Sequence, residues 1–352
     1  MRDERQLPRP TMGPVARFDH ADSAWNRAVH SSRHADPFSC RTEWQLSFHE
    51  AMSPDRHLLV RTADDSMIAF AAQTDPRLGP LLEPIESSWL FGCPLLGPHA
   101  AELLSETLVQ LHQHTPLPCL LISGLDATPP QASGTISPTE GRDTDLERRI
   151  RTQLGSRFEV FRLAPTTLVY GDLAGGLDGW LGRRTAKVRR NVRRDGRRLR
   201  DLGIRFERHS PRTKQESDAV YERMLAVESL SWKGTGRCGM AEEPSQSFYR
   251  LLLNRLAAGG LARIVIAHDQ SAGNDAGFIF GGMHGGVYRG QQFSYAESWR
   301  AHSLGNVLQL EKVRWLAELG ASRYDMGPMM AYKRHWAEHQ QAMGALLLRP
   351  AE

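Results

Sequence analysis

Hydrophobic and polar positions along the first half of the chain follow the two spacings that distinguish helices from strands. Apolar residues recur every three to four positions in two segments, which predicts helices at 40–52 and 100–114. Short apolar runs bounded by turn residues predict strands at 57–63, 66–73 and 119–125. A strand, a helix and a strand in succession indicate a mixed α/β sheet.

The second half gives the clearest strand signal. Runs rich in β-branched and aromatic residues at 262–269, 276–284 and 287–295 are separated by the turns SAGND and GG, which predicts a three-stranded antiparallel meander. The other elements predicted after residue 145 are helices at 146–154, 213–232, 247–260, 307–320 and 332–340 and strands at 158–164, 166–173, 203–209, 322–327 and 345–350.

The length of 352 residues suits two domains better than one core, and we place them at 1–165 and 166–352. Residues 126–145 contain almost no large apolar side chain, which predicts a long exposed loop. Residues 1–15 predict a frayed leader rather than a signal peptide, because no apolar core follows their charges. No run approaches the ~18–20 apolar residues that a membrane span needs. We therefore expect a cytoplasmic protein.

One segment has an unusual density of positive charge. Ten Lys or Arg and one acid, Asp195, lie between Arg183 and Arg200, while the rest of the chain has more acidic than basic residues. Its apolar residues fall on one narrow stripe at helical spacing, which predicts an amphipathic helix at 180–202. Three partners for its charged face stay open: acids elsewhere on the protein, a phosphorylated cofactor, and nucleic acid.

Four segments after residue 180 together resemble a known family. They are RRTAKVRRNVRRDGRRL, with Thr185, Lys187, Arg190 and Asn191, then VESLSWKGTG at 227–236, AESWRAHSLGN at 296–306 and YDMGPMMAYKRHW at 324–336. Their order around the meander resembles the GNAT acyltransferase fold, in the CelD-like and FemAB-like branch whose members pair two GNAT-type halves. The resemblance implies two GNAT-like domains of the α/β (α+β) class, each a mixed, mostly antiparallel sheet flanked by helices.

Within that resemblance, the segment from Arg300 to Asn306 is similar to the loop by which GNAT enzymes hold the pyrophosphate of acyl-CoA. Small side chains there let backbone N–H groups and a helix N-terminus approach a diphosphate. The candidate cofactor-binding residues are Arg300, Ser303, Leu304, Gly305 and Asn306. Leu304 stands where the family usually has Pro. The alternative is an ordinary helix N-cap formed by Ser303 or Asn306.

Acyl transfer to an amine needs a group that takes the amine proton and one that protonates the departing thiolate. Glu228 is the candidate base and Tyr332 the candidate acid; an exposed helix carboxylate and a packing tyrosine are the alternatives. The candidate substrate-binding residues are Trp232, Lys233, Gln291, Tyr295, Asp325 and Lys333. For Asp325 and Lys333, a structural ion pair is the alternative.

The sequence offers no Gly-x-Ser-x-Gly elbow and no Cys/His pair for a covalent intermediate. The four cysteines are dispersed, which predicts buried thiols and no metal site. We therefore expect direct transfer, in a ternary complex, from acetyl-CoA or a longer acyl-CoA to a small-molecule or peptide amine or an amino sugar. Two other functions stay open: a FemAB-like transferase that takes aminoacyl-tRNA, and a non-catalytic binding module on a GNAT scaffold.

Overall fold

The computed structural model describes residues 15–20, 22–127 and 145–351. Its helices are α1 (Ala24–Ser31), α2 (Thr42–Met52), α3 (Ala100–His112), α4 (Asp145–Leu154), α5 (Gly176–Gly182), α6 (Ala186–Asp201), α7 (Lys214–Ser229), α8 (Trp232–Thr235), α9 (Ser245–Ala258) and α10 (Leu304–Glu318). Its strands are β1 (His57–Ala63), β2 (Ser66–Asp75), β3 (Gly79–Pro84), β4 (Leu95–Leu96), β5 (Cys119–Asp126), β6 (Phe158–Arg162), β7 (Thr166–Asp172), β8 (Ile204–His209), β9 (Ala262–Asp269), β10 (Asn274–His284), β11 (Val287–Tyr295), β12 (Arg323–Pro328) and β13 (His339–Pro350). Short 3₁₀ helices lie at Val15–Phe18, Glu297–His302 and Ala331–His335. The predicted leader and most of the predicted loop at 126–145 lie outside the described residues.

The chain divides into two compact units, residues 1–167 with 341–352 and residues 168–340. The last strand is predicted to belong to the C-terminal domain, whereas the structure groups residues 341–352 with the first unit. The reason is pairing, because β13 is hydrogen-bonded to β5 and to β6.

The first unit is a mixed sheet in the order β1-β2-β3-β5-β13. β1, β2 and β3 form an antiparallel meander, and β3 then pairs in parallel with β5. A parallel pair needs a crossover connection, which contains α3. The predicted apolar face of α3 is buried, with Leu104 and Leu108 fully inaccessible to solvent.

The second unit repeats this succession in strands ordered β7-β12-β11-β10-β9-β8. β8 to β11 are antiparallel, β11 and β12 are parallel, and α10 makes the crossover between them. Leu304 and Leu308 of α10 are fully buried in a core cluster with Val265 and Ile279 of the sheet. The two meander–helix–strand units confirm the predicted fold class.

The prediction of one continuous basic helix at 180–202 is wrong. α5 ends at Gly182, and α6 begins after Thr185, whose hydroxyl accepts the N–H of Val188 at 3.3 Å as an N-cap. The guanidinium of Arg189 donates to the carbonyls of Gly182 and Arg184, groups that the end of α5 leaves unpaired. Capping groups on both sides of the break therefore separate the two helices.

Several boundaries also differ from the predictions. α10 begins three residues before the predicted start at 307, and the helix predicted at 332–340 is a 3₁₀ turn followed by β13. The SWKGTG turn forms the one-turn helix α8. The sequence pattern does not predict four elements, namely α1, α5, β3 and β4. Three of them, α1, β3 and β4, are short. The fourth, α5, contains three glycines, which lower its helix propensity.

Candidate active site

The sheet of the second unit opens between β11 and β12. The two strands pair at only three positions, of which Arg289 opposite Asp325 is the last. β11 continues to Tyr295 along β10, whereas β12 continues to Pro328 along β7. Residues 290–295 therefore face an opening rather than a neighbouring strand.

A β-bulge lies on β11 beside this opening. Phe280 of β10 pairs with Gln292 and Gly281 pairs with Gly290, so Gln291 is the extra residue. The side-chain nitrogen of Gln291 is buried and has no hydrogen-bond partner among the described residues. A buried amide donor without a partner costs free energy, so it marks a place where a ligand atom would be favourable.

The loop before α10 presents main-chain donors. Ser303 adopts the left-handed conformation, with φ 58° and ψ 28°, and forms no side-chain cap. Its carbonyl accepts the N–H groups of Asn306 and Val307 at 3.0 and 3.3 Å. Within the described part of the chain, the N–H groups of Leu304 and Gly305 have no acceptor. A left-handed residue followed by a helix start is an anion-binding concavity, and the helix dipole reinforces it.

Side chains do not fill this loop. Leu304 is fully buried in the core, Asn306 is exposed, and Gly305 lies against the rings of β11. A Cβ at Gly305 would lie 2.8 Å from Cζ of Phe293 and 2.9 Å from Cε1 of Tyr295. Glycine therefore lets the start of α10 lie close to β11, beside the opening of the sheet. Ser303 occupies the N-cap position of the alternative interpretation, but its side chain makes no capping hydrogen bond, and Asn306 lies within α10.

A cavity of about 350 Å³ adjoins the loop and is lined by Trp232, Tyr295, Glu297 and Arg300. Three of these are predicted site residues that the fold brings together. Glu297 is not predicted; it pairs with Arg300 at 2.9 Å, and its N–H donates to Leu230 at the end of α7. Trp232 is 57% exposed at the wall of this cavity.

Glu228 lies at the end of α7 and is completely buried. Its Oε1 accepts the N–H of Met240 at 3.0 Å, and its Oε2 has no partner among the described residues. A Cβ at Gly239 would lie 2.0 Å from Oε1, so the segment after α8 closes directly over the carboxylate. Glu228 is thus not the exposed helix carboxylate of the alternative interpretation.

Lys233 of α8 lies on the β11 side of the opening. Its Nζ donates to Oε1 of Gln292 and to the carbonyl of Phe293, both at 2.9 Å. Burial lowers the pKa of Lys233, and the carboxylate of Glu228 acts in the opposite direction. Gln292 in turn donates to the phenol of Tyr249 at 2.6 Å, and burial raises the pKa of Tyr249 to about 12.

Gln292 and Tyr249 are site residues that the sequence analysis missed. Gln292 was detectable only as the neighbour of Gln291, because the bulge that separates the two side chains is a tertiary feature. Tyr249 has no local signal at all, since it lies on the apolar face of α9.

Lys333 lies on the β12 side of the opening. Its Nζ donates to the carbonyls of Met326 and Pro328 at 2.6 and 2.8 Å, and burial lowers its pKa to about 8. An ion pair between Lys333 and Asp325 is not formed among the described residues. Asp325 instead pairs with Arg289 at 2.9 Å and with Arg323 at 3.2 Å.

Tyr332 precedes Lys333 in the 3₁₀ turn Ala331–His335 and is 46% exposed. Burial of the rest of the side chain raises its pKa. The phenol is therefore protonated at neutral pH, the state that a proton donor requires.

The charged face of α6 has few acidic partners. Arg194 pairs with Asp195 at 2.9 Å. No ion pair with an acid is formed, within the described ranges, by six other exposed bases: Lys187, Arg190, Arg193, Arg197, Arg198 and Arg200. α6 packs through Val192 and Leu199 in the core cluster that contains the start of α10. The acidic residues that the structure describes therefore do not neutralise the charged face of α6.

Other features bear on the kind of chemistry. In the described part of the chain, no group of three or more His, Cys, Asp or Glu side chains is arranged to hold a metal ion. Cys40, Cys93 and Cys119 are buried thiols, but Cys238 is exposed, contrary to the prediction of four buried thiols. None of the described helices has the length and apolar composition needed to cross a bilayer.

Comparison with known proteins relates part of the chain to a family model. Residues 186–334 match the model of the acetyltransferase (GNAT) domain. The structure is similar to the crystal structure of FemX, with a TM-score of 0.60, 12% identity, and coverage of 91% of this chain and 94% of that chain. No curated protein matches the sequence.

Two further solved structures share the fold. A conserved protein of unknown function from Bacteroides thetaiotaomicron has a TM-score of 0.58 at 11% identity, covering 98% of this chain and 100% of that chain. L-PGS from Bacillus licheniformis has a TM-score of 0.50 at 13% identity, covering 87% and 91%. These likenesses concern the fold alone. Residues 186–334 therefore match the acetyltransferase (GNAT) domain, in a chain that shares the fold of FemX.

Proposed function

We propose that the second unit is an N-acyltransferase that moves an acyl group from acyl-CoA directly to an amine or amino-sugar acceptor. The observation that supports this most is the pair of unpartnered N–H groups at Leu304 and Gly305, next to the opening between β11 and β12. Their number and position suit a diphosphate, and Arg300 lies at the rim of the adjoining cavity. The acyl end of the donor would then extend along Gln291 and Tyr295.

Each side chain has a proposed role in that reaction. Glu228 takes the proton of the amine as its nitrogen attacks the thioester carbonyl, and Tyr332 protonates the sulfur as the carbon–sulfur bond breaks. Trp232 forms a wall of the acceptor site. Asp325 holds Arg289 and Arg323 in place beside the opening. A metal has no part in this scheme.

Isothermal titration with acetyl-CoA and longer acyl-CoA tests the donor. We expect saturable binding that weakens when Arg300 is replaced by Ala, while the exposed surface variant R148A binds as the unaltered protein does. Arg148 is a matched control because it also forms an exposed i,i+3 ion pair, with Asp145. Absence of binding to every acyl-CoA tried would contradict the proposal.

The charged face of α6 favours a second candidate, in which the donor is an aminoacyl-tRNA. Six exposed bases without acidic partners extend along a helix of 16 residues, about 24 Å, which is longer than one diphosphate needs. RNA phosphates would neutralise them, and binding would weaken steeply with salt. A filter-binding series from 50 to 300 mM salt decides this, since a flat response dismisses RNA.

A further inference from the structure

Two ammonium groups, that of the half-buried Lys233 and that of the buried Lys333, lie on opposite sides of the opening in the sheet. Lys233 is bonded to the carbonyl of Phe293 on β11, and Lys333 is bonded to the carbonyls of Met326 and Pro328 on β12. Lys233 thus binds β11, and Lys333 binds β12, beyond the point at which these two strands stop pairing with each other. Lys233 comes from α8 and Lys333 from the turn after β12, so only the fold brings them together.

Neither ammonium is satisfied by its present partners. A protonated lysine has three N–H donors, and each of these two uses two of them on oxygens of the protein. Neither forms an ion pair among the described residues: Oε1 of Glu228 is bonded to Met240, and Asp325 is held by two guanidinium groups. Among the described residues, the third donor of each lysine therefore has no acceptor.

The charges also act on each other. The positive charge of Lys233 is one cause that lowers the pKa of Lys333, after burial and together with Arg289, while Asp325 opposes the shift. Two cations in a poorly hydrated place repel more strongly than in water, so an anion between them would relieve both repulsion and desolvation. The side-chain nitrogen of Gln291, in the bulge of β11, is a third buried donor without a partner among the described residues. An opening rich in donors suits a ligand rich in acceptors.

We propose that Lys233 and Lys333 together bind an anionic group, a carboxylate or a phosphate, that the acceptor carries near its amine. This inference rests on the proposed function. The acceptor is favoured over the donor as the source of the anion because Lys233 belongs to the same short segment as Glu228, the group that takes the proton of the amine. The donor's diphosphate is assigned to the separate loop at 303–305.

Matched acceptor pairs test the inference on the unaltered protein with acetyl-CoA as donor. Glycine is compared with glycinamide, and glucosamine 6-phosphate with glucosamine, so that carboxylate and phosphate are distinguished. We expect kcat/KM to be at least about tenfold higher for the anionic member of one pair, as charge-assisted hydrogen bonds to a desolvated ammonium require. Equal values in both pairs, in an enzyme that acylates these amines, would overturn the inference and leave the transferase intact.

A binding measurement separates this inference from the proposed function. Inorganic phosphate and acetate are titrated at constant ionic strength while tryptophan fluorescence is followed, because Trp232 adjoins Lys233. We expect one of the two anions to quench the fluorescence saturably. This quenching should be lost in K233M and K333M and retained in K233R and K333R. The control K214M should behave as the unaltered protein does, because Lys214 is exposed and paired with Asp218. If the methionine variants do not fold, the unaltered protein still decides, since absence of saturable binding of both anions refutes the site. Anion binding without acyl-CoA binding would refute the transferase alone.

Discussion

Replacement of Gly239 by Ala is expected to displace the buried carboxylate of Glu228 without altering its charge. The added Cβ would lie 2.0 Å from Oε1, 2.9 Å from Cδ of the same side chain and 3.1 Å from Cβ of Lys233. Contacts under 3.0 Å do not occur for real Cβ atoms, so Oε1 has to withdraw by about 1 Å or more. That movement breaks its hydrogen bond to the N–H of Met240.

The size of the effect follows from these contacts. A hydrogen bond to a charged group contributes about 1.5–3 kcal/mol, and the displaced carboxylate has no other partner among the described residues. Loss of backbone freedom in the unfolded chain offsets about 0.4–1 kcal/mol. We therefore expect G239A to lower the free energy of unfolding by about 0.5–2.6 kcal/mol. If Glu228 is the base, a displacement of this size also lowers turnover by about 10²-fold.

Urea unfolding followed by tryptophan fluorescence measures the first quantity, and thiol release from acyl-CoA measures the second. G182A is the matched control, because a Cβ at Gly182 would meet nothing within 4 Å and its unfolding should be unchanged or slightly stabilised. In an E228A background, which removes the obstructing carboxylate, Gly239→Ala should cost almost nothing. Equal unfolding midpoints for G239A and the unaltered protein would refute the contact, and equal turnover would refute the role of Glu228.

Three further predictions concern the same unit. S303G should stabilise the protein by about 1 kcal/mol and keep the affinity for acyl-CoA, because a side chain at a left-handed residue is strained. The β-branched S303V should lose that affinity, as measured by isothermal titration. E228Q keeps an oxygen that accepts the N–H of Met240 but removes the base, so turnover should fall about 10²- to 10⁴-fold with no loss of stability. The control E222Q, on the exposed face of α7, should retain activity. Full turnover in E228Q would exclude Glu228 as base. The pKa of about 8 for Lys333 lies below the usual value of 10.5, so between these values the unfolded chain binds the extra proton and stability rises with pH. The difference in unfolding free energy between the unaltered protein and K333M should therefore change in favour of the unaltered protein from pH 7 to 9.5, and a constant difference would contradict the buried position of this ammonium.

Much of the architecture is predictable from the sequence because its signals are local. The three runs of the meander from Ala262 to Tyr295 contain their own alternation and their own turns, so β9, β10 and β11 follow from neighbouring residues. The apolar spacing of α3 likewise predicts the face that is buried. The loop at 300–306 is predictable because small residues before a helix are a short-range pattern.

Tertiary structure decided the features that depend on residues distant in sequence. Gln291 is an extra residue only because β10 is one residue shorter opposite it, and the opening exists only because β11 and β12 stop pairing after Arg289. Lys233 and Lys333 are one hundred positions apart in the chain, and no spacing relates them. Sequence determined the elements and the types of reactive group, because local backbone preference and burial pattern depend on adjacent residues. Only packing decided which groups lose their water. That loss shifts their pKa values and leaves some of their donors without partners.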